Sequence, residues 1–195
     1  MSKRLFDIVC AALGLLLLAP MLLVLAVWIK LDSPGPVMFR QERVGRFGRP
    51  FLIHKFRTMR VDNAGPQITV GADHRITHAG AWLRRTKLDE LPQLWDVLRG
   101  AMSLVGPRPE VPRYVAMYPA ELRELVLSVR PGITDPASLQ FRNESELLAR
   151  AADPEREYVE VVMPAKLRAA ADYVRQATLA RDLGLMWRTL ATIFH

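Results

Sequence analysis

Ile8-Val9-Cys10-Ala11-Ala12-Leu13-Gly14-Leu15-Leu16-Leu17-Leu18-Ala19-Pro20-Met21-Leu22-Leu23-Val24-Leu25-Ala26-Val27-Trp28-Ile29 decides the architecture, because it carries no charged, amide or hydroxyl side chain. As a straight helix it extends roughly 33 Å, enough to cross the apolar core of a bilayer. Pro20 lies near its middle. A proline there frees the carbonyl of Leu16 and clashes with it, which predicts a kink or break. Lys3 and Arg4 precede the run, and Lys30, Arg40, Arg43, Arg46 and Arg49 follow it. Positive charge belongs on the cytoplasmic side of a membrane, and here both flanks are positive. Two topologies satisfy that pattern: a re-entrant, monotopic hairpin that enters and leaves on one face, and a kinked span with its more basic second flank inside. No Ala-x-Ala-like cleavage site precedes Lys30, so the run does not read as a signal peptide.

Beyond Lys30 the composition becomes that of a water-facing domain. Asp32-Ser33-Pro34-Gly35-Pro36 is the turn between them, which divides the chain into an anchor, residues 1–32, and a body, residues 33–195. Val37 to Gln41 and Pro50 to Arg57 are predicted as strands of a hairpin, joined by a Gly- and Arg-rich connection. Residues 61–75 read as a polar loop. Helices are expected over Ala79 to Arg85, Asp89 to Arg99, and Ala120 to Val129, the last opened by Pro119. The fold class is therefore α/β, mainly α.

The chemistry concentrates in Thr86-Lys87-Leu88-Asp89-Glu90-Leu91-Pro92-Gln93-Leu94-Trp95. Pro92 is tolerated only in a helix's first turn, so a helix is expected to start near Leu88. Thr86 with Asp89 fits a capping box, and Gly100 marks the C-terminal stop. Asp89 and Glu90 then occupy the first turn, where the helix dipole favours ionised carboxylates. An ionised Asp beside a second acid suits a nucleophile, a Mg²⁺ ligand, or both. The plain alternative is that acids simply favour helix N-termini.

Two rigid basic corners follow: Gly106-Pro107-Arg108-Pro109 and Arg130-Pro131-Gly132. Flanking prolines hold an arginine fork ready for phosphate oxygens. Lys55, Arg57, Arg84, Arg85, Arg142 and Asn143 are further candidates to line such a site. The formal net charge of +7 calls for anionic partners. The single cysteine, Cys10, excludes an intramolecular disulfide framework, and a reduced, cytoplasm-facing body is the default. His74 and His78 have the spacing of two metal ligands on one helix, but Thr77 and Gly80 weaken that helix and no third ligand accompanies them. Near the C-terminus Leu179, Leu183, Met186, Leu190 and Ile193 recur at helical steps with Trp187 beside them. That stripe suits a membrane interface or a packed core equally.

These motifs together closely resemble a known family. Lys3-Arg4-Leu5-Phe6-Asp7 before a Pro-broken apolar helix, Lys55-Phe56-Arg57-Thr58-Met59, Leu88-Asp89-Glu90-Leu91-Pro92-Gln93-Leu94, Met102 to Pro109, and Val129-Arg130-Pro131-Gly132-Ile133-Thr134 occur in this order and spacing. They are similar to the bacterial sugar transferases called monotopic, or polyprenol-phosphate, phosphoglycosyl transferases, over nearly the whole chain. The resemblance implies an enzyme that moves a phosphosugar from a UDP-sugar to a polyprenol (undecaprenyl) phosphate, releasing UMP. That is the first membrane step of a surface glycan: exopolysaccharide, capsule, O-antigen or glycoprotein. It implies a re-entrant helix broken at Pro20, amphipathic interfacial helices, and a monotopic location on the cytoplasmic face of the bacterial inner membrane. The chain resembles the minimal catalytic core of longer members.

Carried over by resemblance, the nucleophilic acid falls on Asp89, which would form a covalent phosphosugar-aspartate intermediate. Its partner falls on Glu90, and the two would hold Mg²⁺ as cofactor. Arg84 and Arg108 match phosphate-binding arginines, and Lys55, Arg57, Arg130, Arg142 and Asn143 complete the expected substrate-binding set. Expected partners are the UDP-sugar, polyprenol phosphate, inner-membrane lipid and a further copy of the chain in a homo-oligomer, with no nucleic acid. Two departures stand out. Ala19-Pro20 replaces a common Ser-Pro, and Asp135-Pro136-Ala137-Ser138-Leu139-Gln140-Phe141 replaces the segment many members carry before Arg142-Asn143, which bears on sugar choice. The competing reading is a membrane-tethered basic module that binds acidic lipid or nucleic acid without catalysis. It accounts for the charge and the anchor and leaves the acid pair without a role.

Overall fold

The computed structural model describes residues 3–61, 70–71, 73–141 and 143–194. The apolar run forms one helix, α1 (Lys3–Asp32), that stays helical on both sides of Pro20. Of the kink or break expected at Pro20, no break interrupts the element. A proline removes one ladder hydrogen bond, and the turns on either side keep theirs. Leu16, Leu17, Leu23, Val24 and Leu31 are each more than two-thirds exposed, a surface suited to lipid.

Both ends of α1 are fastened to the same body. At the first end Lys3 pairs with Asp182, and Arg4 donates to the carbonyls of Val97 at 2.7 Å and Leu98 at 3.0 Å. Asp7 accepts from Ser103 Oγ at 2.8 Å and Leu104 N at 3.3 Å. At the second end Leu25 and Ile29 pack with Phe56, Ala79 and Leu83, and Trp28 lies 5.5 Å from Trp82 between ring centres. Asp32 accepts from Ala79 N at 3.1 Å.

The antiparallel hairpin is β1 (Met38–Val44) and β2 (Pro50–Phe56), in register from Met38 opposite Phe56 to Val44 opposite Pro50. Helix α2 (His78–Thr86) follows, longer by one residue at each end than the sequence suggests. Of the expected loop over 61–75, residues 62–69 and 72 lie outside the described residues. His74 sits in the turn before α2, so it and His78 do not share a helix.

The reading of Thr86 as a helix cap is corrected. Thr86 closes α2, its Oγ1 donating to the carbonyls of Trp82 at 2.9 Å and Leu83 at 3.2 Å, and Lys87 takes a left-handed conformation with φ 58°. Leu88–Glu90 forms a separate 3₁₀ turn, and α3 (Gln93–Arg99) begins only after Pro92. Pro92 has no amide to carry an α-helical ladder across, so Glu90 and Leu91 bond to carbonyls three residues back instead. The stop at Gly100 is as expected, with φ 85°.

Next come β3 (Ser103–Val105), α4 (Pro112–Val115), α5 (Ala120–Leu127), β4 (Gly132–Thr134), α6 (Pro136–Gln140), α7 (Glu144–Ala149) and α8 (Pro154–Glu157). A π-helical turn over Tyr158–Val162 leads into α9 (Met163–Arg175), and α10 (Leu179–Phe194) ends the chain. The result is mainly helical with two small sheets. In the second sheet β3 and β4 pair in parallel. A Cβ on Gly132 would lie 2.0 Å from Gly106 N, so the crossing of the two basic corners requires glycine. The main core joins Ala11 of α1 to Ile53, Leu94, Val97, Met102, Leu104, Val105, Tyr173 and Leu185, so one face of the anchor packs on the body.

Helix α10 divides its faces differently from the expected stripe. Asp182 and Leu185 are buried, whereas Leu183 and Trp187 are 47% and 71% exposed. The buried Asp182 accepts from Tyr173 Oη at 2.6 Å and pairs with Lys3. A polar tie to the body therefore sets the helix's rotation and leaves Trp187 outward.

Candidate active site

The 3₁₀ turn between α2 and α3 lays Asp89 and Glu90 against β2 and the Pro-Arg-Pro loop. Lys55, on β2, donates to Glu90 Oε1 at 2.7 Å, and Arg108 grips the same carboxylate with both terminal nitrogens. Burial pushes the Glu90 carboxyl upward, but Arg108 and Lys55 outweigh it and hold the group well below the usual carboxylate range. Asp89 is different. It is 9% exposed, and among the described residues its buried Oδ1 has no hydrogen-bond partner. Burial first, and the adjacent Glu90 second, raise its pKa above the ordinary value, against the pull of Lys55, Arg84 and Lys87. Lys55 is itself driven down by burial, and the Glu90 charge opposes that shift.

Arg84 faces Asp89 from α2, with its Nε donating to Thr58 Oγ1 at 2.9 Å. Thr58 belongs to the Lys55-Phe56-Arg57-Thr58-Met59 motif, so one strand end supplies the lysine on Glu90 and the hydroxyl that aims Arg84. Asp89, Glu90, Lys55, Arg84 and Arg108 thus converge.

The other expected members do not all join them. Arg57 is 4% exposed, and its guanidinium donates to the carbonyls of Pro34 at 2.6 Å, Ser33 at 2.8 Å and Ile29 at 3.3 Å. It caps the end of α1, where the last helical carbonyls lack intrahelical partners. These bonds place the Arg57 guanidinium at the end of α1 and apart from the cluster at Asp89. Arg130 turns away too, its Nε donating to Gly100 O at 2.9 Å beyond α3. Its backbone lies close under Gly106, but its side chain serves the end of α3. Asn143 is exposed at the start of α7, and Arg142 lies outside the described residues.

Residues that sequence reasoning missed surround Arg108. Glu110 Oε1 accepts from Arg43 at 3.0 Å and Val111 N at 2.8 Å, while its Oε2 accepts from Tyr158 Oη at 2.5 Å. Asp135 is buried and caps α6 through Ala137 N and Ser138 N. The one available signal was Asp135-Pro136, an N-cap followed by proline.

Beside a largely exposed apolar helix, the carboxylate pair and the cations converging on it form a site suited to an anionic substrate. The chain belongs to the bacterial sugar transferase family, whose profile it matches over residues 1–195. It is 41% identical over 198 residues to a UDP-glucose:undecaprenyl-phosphate glucose-1-phosphate transferase of Caulobacter vibrioides, covering 99% of this chain and 70% of that protein. It is 37% identical to a UDP-N-acetylgalactosamine-undecaprenyl-phosphate N-acetylgalactosaminephosphotransferase of Aeromonas hydrophila, over 98% of this chain and 43% of the relative. An exopolysaccharide production protein of Rhizobium leguminosarum is 55% identical over 54% of each chain.

Proposed function

We propose that this protein transfers a phosphosugar from a UDP-sugar to undecaprenyl phosphate, with Asp89 as nucleophile. The observation that carries the reading is the contrast within one turn: Glu90 is neutralised by Lys55 and Arg108, while Asp89 beside it keeps an unpartnered, buried carboxylate oxygen. A desolvated carboxylate facing cations is suited to attack a phosphorus whose charge those cations hold. In the first step an Asp89 oxygen bonds to the sugar-bearing phosphorus, the bond to the bridging oxygen breaks, and UMP leaves with that oxygen. In the second, an oxygen of the lipid phosphate bonds to the same phosphorus and Asp89 departs as carboxylate. Arg84 and Arg108 take up charge on the phosphoryl oxygens in both steps.

Mg²⁺ is the cofactor this reading calls for. Asp89 Oδ1 is a hard oxygen without a partner among the described residues, and Glu90 Oε2 is held only loosely, 3.4 Å from Arg108. Among the described residues no group of three or more candidate ligands gathers, so Asp89 and Glu90 would hold the ion together with the donor's phosphates. When bound it supplies neutralisation of the diphosphate and of the departing UMP.

The anchor completes the proposal. Residues 1–32 are a re-entrant helix and residues 33–195 a body on the cytoplasmic face of the inner membrane. Support comes from the attachment of both α1 ends to one body, since a helix crossing the bilayer would carry its ends to opposite sides. The lipid phosphate then reaches the site at headgroup level. The test is UMP release from a panel of UDP-sugars with undecaprenyl phosphate in nanodiscs, and mass spectrometry for a phosphosugar on Asp89 without the lipid. Lipid binding without UMP release is the outcome of the tethered-module alternative.

A further inference from the structure

Arg108 has two acids as neighbours. Glu90 holds its guanidinium, and Glu110, two residues along the chain, lines the same small space as Arg108. That space lies between the Pro-Arg-Pro loop, α5, α6 and α9, and Tyr118, Tyr158 and Lys166 line it too. It amounts to about 40 Å³, room for a few waters. In so small a gap charges are poorly screened, and a carboxylate left without a partner draws a nearby guanidinium to itself. Arg108 can serve Glu90 and a substrate phosphate only while Glu110 is otherwise engaged.

Both oxygens of Glu110 are taken. Its Oε1 accepts from Arg43 Nη1 at 3.0 Å and from Val111 N at 2.8 Å, and its Oε2 accepts from Tyr158 Oη at 2.5 Å. The backbone around it is fixed as well. Val44 N donates to Glu110 O at 2.9 Å and Arg43 Nη1 to Pro109 O at 3.2 Å, while Gly132 N donates to Pro107 O at 2.9 Å on the other side of Arg108. Arg43 is itself aimed by Gln41, whose Oε1 accepts from its Nη2 at 2.7 Å. Tyr158 comes from the π-helical turn before α9, with the Tyr114 ring 4.9 Å away between centres. Burial and then Glu110 raise the Tyr158 pKa, so its hydroxyl keeps the proton it donates. Burial lowers the Arg43 pKa, Glu110 opposes that, and Arg108 adds to it, so the three charges act on one another.

We propose that Arg43 and Tyr158 are positioning residues that sequester Glu110 and so leave Arg108 to Glu90 and to the substrate's phosphates. The inference rests on the UDP-sugar reading above.

If Arg43 and Tyr158 act by sequestration, removing the acid they hold repairs their loss; if they only prop the loop, it does not. Equilibrium binding in nanodiscs reads this apart from turnover, with the most tightly bound member of the UDP-sugar panel as probe. Arg43→Gln leaves Glu110 half-partnered, and the Kd should rise about tenfold, the scale of one charged hydrogen bond diverted from the ligand. Adding Glu110→Gln removes the competing charge, so the double variant should recover to within roughly threefold of wild type. Tyr158→Phe frees one oxygen only and should raise the Kd roughly threefold, again relieved by Glu110→Gln. In an Arg108→Ala background Arg43→Gln should add nothing further. Thermal midpoints report folding, and the Tyr158 pair carries the test should Arg43→Gln not fold. A double variant as weak as its single parent would make Arg43 and Tyr158 mere props of the loop, and unchanged binding in both single variants would deny Glu110 any hold on Arg108; either overturns the proposal. Wild-type protein that binds a UDP-sugar but releases no UMP would overturn the transferase reading instead, with the binding cycle still deciding the sequestration.

Discussion

Asp89 and Glu90 share a peptide bond and occupy opposite electrostatic environments: Glu90 is clamped by Lys55 at 2.7 Å and by Arg108, while Asp89 Oδ1 is buried with no partner among the described residues. The clamp keeps Glu90 charged, and that charge in turn helps raise the pKa of Asp89. The left-handed Lys87 and the ladder break at Pro92 create this arrangement, because an uninterrupted helix would hold both acids in one first turn.

Asp89→Asn separates chemistry from folding. It should abolish UMP release and covalent labelling while raising stability. A carboxyl with a raised folded pKa contributes stability at low pH that is lost as pH rises through that value, and asparagine carries no such loss. The gain is about 1 kcal/mol, or roughly 2–4 °C for a chain of this size. Differential scanning fluorimetry in nanodiscs measures it, and a lower midpoint would make Asp89 a structural group.

The pH–rate profile of UMP release should show its acid limb above 3.8, the ordinary value for an aspartate. Lys55→Gln should move that limb still higher, because Lys55 favours the ionised Asp89. Glu90 has the opposite sign: the stability it contributes is present above its ordinary value of 4.5 and lost as pH falls below it. A limb that Lys55→Gln leaves in place would assign the titration to another group.

Arg108→Lys should fail nearly as badly as Arg108→Ala, with kcat/KM down at least a hundredfold in both. Arg108 meets Glu90 through two nitrogens, and an ammonium cannot reproduce that fork. Near-normal activity in the lysine variant would leave only a generic positive charge at this position.

Arg57 gives a sharp contrast. Arg57→Ala strips three carbonyls at the end of α1 of their donor, and should cost about 3 kcal/mol of stability with the KM for UDP-sugar unchanged in the folded fraction. A raised KM at unchanged stability would return Arg57 to the site.

That case shows what could be read from the chain and what could not. The hairpin, α2, α5 and the stop at Gly100 were legible because alternation, helical spacing and glycine chemistry are local. The grouping of Asp89, Glu90, Lys55, Arg84 and Arg108 was implied by the family resemblance rather than by any local pattern. The places of Arg57 and Arg130 were not legible because an arginine reads alike whether it faces a phosphate or a helix's last carbonyls, and only the docking of α1 and α3 sets them. Asp7 was visible only as part of a motif, since its partners Ser103 and Leu104 lie in a distant strand. Glu110 and Tyr118 carry no local signature at all.

Topology is tested by cysteine labelling in a Cys10→Ala background. Leu5 and Pro36 are exposed beside the two ends of α1, so Leu5→Cys and Pro36→Cys should both react with an impermeant maleimide from the cytoplasmic side and neither from outside. Pro20→Leu restores the missing amide and removes the ring clash, which favours a straighter helix. On its own it should leave most molecules in place, because Arg4 and Asp7 hold the first end while Arg57 holds the second. Combined with Arg4→Ala and Asp7→Ala, it should carry a measurable fraction of Leu5→Cys to the outside and lower UMP release in proportion. Outside labelling of Leu5→Cys with Pro20, Arg4 and Asp7 intact would refute the re-entrant anchor while leaving the assignment of Asp89 standing.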